Sequence, residues 1–141
     1  MSAFDDILGG DAPFIDDRSE KAIQNDALVA LWQIPRSFWW RENTGTAWQG
    51  KKVKYDKDVL VLADARPVKF GLEGIADIMG HCQGHAIAIE MKDSIGRQRT
   101  QQKRFEAAWT RDGGIYILAR TVQDAVEGVL AALRSHRETT C

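Results

Sequence analysis

The period of the hydrophobic positions changes along the chain, and each change marks an element. Ile23, Ala27, Leu28 and Leu31 recur at helical spacing. They predict a helix that begins near Arg18, with Asp17 as N-cap and Glu20 three residues on in a capping-box pair, and that stops at Pro35. Phe38 to Asn43 and the stretch around Lys51 to Tyr55 read as strands separated by Thr44-Gly45-Thr46, and Val59 to Ala63 reads as another. Ile75 to Met79 and Ala86 to Lys92 are strand-like segments on either side of Gln83-Gly84. A helix is predicted over about Thr100 to Asp112, closed by Gly113-Gly114. Ile115 to Ala119 then reads as a buried-type strand. Thr121 and Asp124 form a second capping-box pair ahead of a helix carrying Val122, Ala125, Val126, Val129, Leu130 and Leu133 on one face. Helix, strands, helix, strand, helix is the order of a mixed α/β domain.

The segments around Gln83-Gly84 carry the chemistry. A hairpin centred there sets Asp77 across from Glu90, and directly opposed like charges destabilise a sheet. Such a pair calls for a shared proton or a cation, and a hard divalent cation is the simpler answer. Alternation sends Ala86, Ala88, Glu90 and Lys92 to one face and Ile87, Ile89 and Met91 to the other. Lys92 can then orient an attacking water or steady charge developing on a phosphate. Gln102 lies on the same helical stripe as Phe105 and Trp109, where a polar side chain calls for a partner. Glu20 and Gln24 stand one turn apart and can both reach a site above the sheet.

At 141 residues the chain is the size of one domain, and its 44% hydrophobic and 28% charged residues are those of a soluble globular protein. No apolar run approaches a membrane span, and residues 1–17 hold five Asp with no signal-peptide pattern, so a cytosolic chain without membrane partners is expected. Two cysteines, Cys82 and the final Cys141, exclude a disulfide framework; His81, Cys82 and His85 read as turn and surface residues rather than zinc ligands. The net charge of −1 excludes a uniformly basic nucleic-acid binder. Positive charge is nevertheless clustered at Lys51, Lys52, Lys54 and Lys57 and again at Arg97, Arg99, Lys103 and Arg104, where it can meet phosphates. Trp39 and Trp40 are adjacent in a strand and face opposite ways. One is expected in the core; the other is expected at a dimer interface, with base stacking the second choice.

Taken in order, these residues resemble the PD-(D/E)XK nuclease superfamily and, within it, the VRR-NUC family. The helix with Glu20 and Gln24 followed by Trp40-Arg41-Glu42-Asn43-Thr44-Gly45 is similar to that family's opening. Phe70-Gly71 through Gly74-Ile75-Ala76-Asp77-Ile78-Met79-Gly80 resembles its first metal-ligand strand, and Ile89-Glu90-Met91-Lys92 its E-x-K strand. Gly96-Arg97 with Gln102 and Phe105 is similar to its next helix, and Gly113-Gly114 to Arg120-Thr121 to its late strand. Ala76 stands where members often carry Pro, and Leu118-Ala119-Arg120-Thr121 replaces a Val-x-Arg-Ser pattern; neither departure removes a ligand.

The resemblance implies a restriction-endonuclease-like core in αβββαβα order, with Lys51 to Arg66 as a β insertion. It implies an acidic lead-in over residues 1–17, one nuclease domain over 18–137 and a tail over 138–141. Asp77, Glu90 and the backbone carbonyl of Met91 would bind Mg²⁺ or Mn²⁺, with Glu20 adding a direct or water-mediated contact. Lys92 would position the water and Gln102 would hold the site or the scissile phosphate. The implied activity is hydrolysis of DNA phosphodiester bonds, selective for branched DNA or Holliday junctions, by a homodimer in a prokaryotic or phage-infected cell. Lys51, Lys52, Lys54, Arg97, Arg99 and Lys103 would contact DNA. A flap, nicking or end-processing nuclease and a non-catalytic nucleic-acid-binding module are the competing readings. The opposed carboxylates disfavour the binding module.

Overall fold

The computed structural model describes residues 19–140. The acidic lead-in and the expected Asp17 cap lie outside the described residues. Helix α1 (Glu20–Leu31) is capped instead by Ser19, whose hydroxyl accepts the Ala22 N–H at 3.4 Å. Glu20 is therefore the first helical residue and not the third, which frees its carboxylate from a capping-box role.

Strand β1 (Ser37–Arg41) follows, then a long hairpin of β2 (Gly45–Asp56) and β3 (Val59–Phe70). Strands β4 (Ile78–Cys82) and β5 (His85–Met91), helix α2 (Thr100–Arg111), strand β6 (Ile115–Ala119) and helix α3 (Val122–Thr140) complete the order. Helix α3 continues through Thr140, into the stretch read from the sequence as a tail. Two compact units result: the hairpin with its flanks (Asn43–Glu73), and the rest. Without the hairpin, the described elements run αβββαβα.

In the larger unit a four-stranded mixed sheet runs β1-β4-β5-β6, antiparallel except for the parallel β5–β6 pair. Its faces are covered differently. Ile78, Ile87, Ile89, Met91 and Trp39 pack under α1 and α3 with Ile23, Leu31, Val126 and Val129, all fully or nearly fully buried. The opposite face carries Met79 and Ala88 under Phe105 and Trp109 of α2. The small Ala88 of β5 thus leaves room for the aromatic rings of α2, while the branched residues of the strand fill the thicker core.

The two-residue turn Gln83-Gly84 has φ of 52° and 85°, the left-handed pair of a type I′ hairpin. Gln83 is anchored there, its N–H donating to the Arg36 carbonyl at 2.8 Å and its amide to the Pro35 carbonyl at 3.3 Å. Pairing Cys82 with His85 in this turn sets Ile78 opposite Ile89 and brings Asp77 level with Glu90. Cys82 is fully buried in the core and not a surface residue as its turn position suggested, and burial lifts its thiol pKa. His81 is exposed, and His85 lies against His136 with ring centroids 4.6 Å apart.

The hairpin is longer than the expected insertion. Register shifts between Gln49 and Lys51 and between Lys52 and Lys54 interrupt its pairing. Most of its large apolar side chains, among them Trp48, Val53, Tyr55 and Leu60, are exposed.

Gly80 tests the β1–β4 contact. A Cβ there would clash with the Phe38 carbonyl oxygen and the Trp39 ring. Gly80→Ala is expected to destabilise the protein by about 1–3 kcal/mol, the usual cost of overpacking, read as a lower urea midpoint. An unchanged midpoint would contradict the close β1–β4 pairing.

Candidate functional site

Glu90 sits on β5 beyond Ala88, on the face covered by α2, and is 1% exposed. Its Oε1 accepts the Gln102 side-chain amide from α2 and lies 3.2 Å from Lys92 Nζ. Its Oε2 is buried without a hydrogen-bond partner. Gln102 is itself pinned, because its Oε1 accepts the Arg99 N–H at 2.8 Å at the start of α2. One amide side chain therefore caps the helix and fixes the carboxylate.

Asp77 enters from the residue before β4. Its Oδ2 accepts the Met91 N–H at 2.9 Å, and its own carbonyl accepts the Glu42 N–H at 2.8 Å. The N–H and C=O of an extended residue leave on the same side of the strand, so the Met91 carbonyl also faces the Asp77 side. Lys92 turns its N–H the other way, to the Ala119 carbonyl at 2.9 Å.

Glu20, on the first turn of α1, accepts the Asp93 N–H at 3.4 Å and lies near enough to Asp77 to raise its pKa. Gln24, one turn on, is buried.

The electrostatics follow from burial. Removal from water raises the pKa of both carboxyls. For Asp77 the Met91 N–H and Lys92 partly offset that rise, and Glu20 adds to it. Glu90 is pushed up to about 7, first by burial and then by the Asp77 charge, against the pull of Lys92. The pair is acid-rich and short of positive charge.

Sequence reasoning missed the loop that closes this site. Asp93 Oδ1 accepts the Ile95 N–H at 3.1 Å and the Gly96 N–H at 2.6 Å. Arg120 Nη1 donates to the carbonyls of Asp93 and Gly96, both at 2.7 Å. A Cβ on Gly96 would stand 3.1 Å from Glu20 Oε1 and 3.3 Å from the Lys92 Cδ, so the loop passes close to both. The signal available was Asp93-Ser94-Ile95-Gly96 directly after the E-x-K strand, an Asp-initiated turn. Tyr116, paired across from Ala88, was also missed. Burial raises its phenol pKa, Asp77 and Glu90 add to that, and its oxygen accepts the Gln98 amide at 3.0 Å.

The structure thus brings Glu20, Asp77, Glu90, Met91, Lys92 and Gln102 together. Arg97 and Arg99 are exposed on the segment leading into α2, and Lys103 is exposed on its first turn. Lys51, Lys52 and Lys54 belong to the hairpin unit. There Lys51 and Lys54 share one face, opposite Ala63 and Val61, while Lys52 lies opposite Leu62 on the other, with its ammonium 5.5 Å from the Tyr55 ring.

Among the described residues no three His, Cys, Asp or Glu side chains cluster as a ready-made metal cage. What converges is two carboxylates and a backbone carbonyl, an all-oxygen set of the kind that could hold a hard cation retaining its own waters. No family model matches the chain, and no curated protein matches it significantly.

The raised pKa of Glu90 has a sign. Its folded value of about 7 lies above the ordinary 4.5, so its stabilising contribution is present below about pH 4.5 and is lost as pH rises through 7. The gap corresponds to roughly 3 kcal/mol. In EDTA, Glu90→Gln is expected to be more stable than wild type at pH 8 and to match it near pH 4.5, measured by urea unfolding. A constant difference across that range would mean that Glu90 is not a strained carboxylate.

Proposed function

We propose that this protein is a metal-dependent endonuclease that hydrolyses DNA phosphodiester bonds, built on a restriction-endonuclease-like core. The observation that carries the reading is the opposed pair Asp77 and Glu90, with Glu90 Oε2 buried, given no donor by any other residue, and close enough to the Asp77 carboxyl to share a proton with it while no cation is bound. A folded chain that buries such an oxygen beside a second carboxylate leaves coordination capacity unused, and leaving a buried polar atom unsatisfied costs about 1–3 kcal/mol. The αβββαβα order and the E-x-K spacing of Glu90 and Lys92 support the same reading.

Asp77, Glu90 and the Met91 carbonyl would hold Mg²⁺ or Mn²⁺, which when bound neutralises phosphate charge and lowers the pKa of a water. The chain's own contribution is positioning. Gln102 donates to Glu90 Oε1 and so keeps Oε2 turned to the site. Lys92, held by the same Oε1, presents an ammonium whose protons can orient the attacking water and steady the phosphate. Glu20 and Arg120 hold the Asp93–Gly96 loop in place beside them. Exposed Arg97, Arg99 and Lys103 offer phosphate contacts near the start of α2. Branched or junction DNA is the substrate class proposed, with two copies of the chain making the paired cuts of a symmetric junction.

The test is cleavage of labelled four-way junction, flap, duplex and single-stranded DNA with Mg²⁺, Mn²⁺ or EDTA. Cutting is expected only with metal. Asp77→Ala and Glu90→Ala should abolish it, and Lys92→Ala should slow it roughly 10²–10³-fold, as removal of one positioned donor does. Wild-type protein that binds DNA but cuts none of these substrates would leave a binding module instead. Separately, replacing Lys51, Lys52 and Lys54 with Ala should lower the slope of log affinity against log salt by roughly 2–3, about 0.9 for each phosphate no longer neutralised. An unchanged slope would remove the hairpin lysines from the DNA-binding surface.

A further inference from the structure

The edge strand β1 carries aromatic rings that the core does not use. Trp39 turns inward and is 2% exposed, whereas Phe38 and Trp40 turn to the opposite face and are 50% and 41% exposed. Trp32, at the end of α1, is 43% exposed. The rings form a chain of differently turned faces: Trp32 meets Phe38 edge-on with centroids 5.0 Å apart and planes at 65°, Phe38 and Trp40 are tilted by 56° at 6.1 Å, and Phe38 is stacked on His81 at 5.9 Å. The Trp40 indole is fixed by its N–H donating to Glu42 Oε1 at 2.7 Å.

This chain of rings lies on the same sheet face as the candidate site. Trp40 lies opposite Met79, which lies opposite Ala88, so Trp40 shares the sheet face of Ala88 and Glu90. The Glu42 N–H donates to the Asp77 carbonyl, which puts Glu42 level with Asp77. Trp40 is two residues back along the strand and one strand across from Asp77, roughly 8 Å at about 3.3 Å per residue and about 4.8 Å between strands. That distance is between two and three stacked base steps of a nucleic acid at about 3.4 Å each.

We propose that Trp40, Phe38 and Trp32 form a stacking track for unpaired bases of the strand whose phosphate lies at Asp77 and Glu90. This rests on the nuclease reading and sharpens it: the substrate is DNA with a single-stranded or splayed portion next to the cut. Area argues for bases over a second copy of the chain. Rings of about 150–250 Å² with these exposures offer roughly 300 Å², against about 800 Å² per partner in a standard protein interface. Aromatic faces accept any base, and removing a ring costs about 1–3 kcal/mol for the base stacked on it. The track assigns Trp40 to base stacking, a role that ranks behind a dimer interface on sequence alone.

The test uses the full chain in EDTA, so that binding is read without cutting. The probes are a fluorescein-labelled oligo-dT of about 15 nucleotides and a blunt duplex of the same length. Phe38→Ala and Trp40→Ala are each expected to weaken oligo-dT binding roughly tenfold or more, with little change on the duplex, and Trp40→Phe should restore most of the affinity. Circular dichroism confirms that each variant is folded. Equal weakening on both probes, or none on oligo-dT, overturns the track. So does a wild-type dimer that the substitutions convert to monomers with oligo-dT binding intact. The two readings fail separately. If wild-type protein cuts nothing with metal but the ring variants weaken on oligo-dT selectively, the track stands and the nuclease falls. If wild-type protein cuts and the ring variants bind as wild type does, the nuclease stands and the track falls.

Discussion

Two carboxyl groups that repel each other, one buried and one half-buried, stand side by side, and much of the larger unit can be understood as holding them there. Asp77 and Glu90 come from neighbouring strands, and neither has water enough to keep its charge at ordinary cost. Their partial compensation is local: one backbone N–H from Met91, one ammonium from Lys92 and one amide from Gln102. Each donor comes from an element with its own reason to be fixed. Met91 is in the central sheet, Lys92 is tied by its backbone to β6, and Gln102 caps its own helix.

Strand β5 makes this possible by having two unlike faces. Its isoleucines and methionine anchor the strand in the core beneath α1 and α3. Ala88 leaves space on the other side for Phe105 and Trp109 of α2. The core burial that stabilises one face thus offsets the strain stored on the other, a division that catalytic and binding sites commonly show.

The sequence was most legible where a short-range rule governs. The Gln83-Gly84 turn, the alternation along β5 and the stripe of Gln102, Phe105 and Trp109 each depend on residues a few positions apart, and all three are found as expected. So was the exchange of faces between Trp39 and Trp40. The cap of α1 was misplaced by two residues because Ser19 and Asp17 are both good caps and only packing chooses between them. Arg120 was legible only as part of a motif. Its contacts with Asp93 and Gly96 join segments far apart in sequence, and no local pattern announces such a clasp. Cys82 looked like a turn residue because the turn is next to it, yet the strand carries its side chain into the core.

The hydrogen bond from the Glu42 N–H to the Asp77 carbonyl also says something about how this chain can change over generations. Residues 43–73 leave and rejoin the larger unit between Glu42 and Gly74, and the bond sits just inside those two points. Whatever lies in between can be lengthened, shortened or exchanged without shifting the strand pairing that sets Asp77 against Glu90. The two-residue turn on the far side of β4 has the opposite character, since a single added residue there would rotate every side chain of one strand to the wrong face. One connection is free to diversify and the other is locked, so descendants of this protein should differ most in the hairpin and least in Gln83-Gly84.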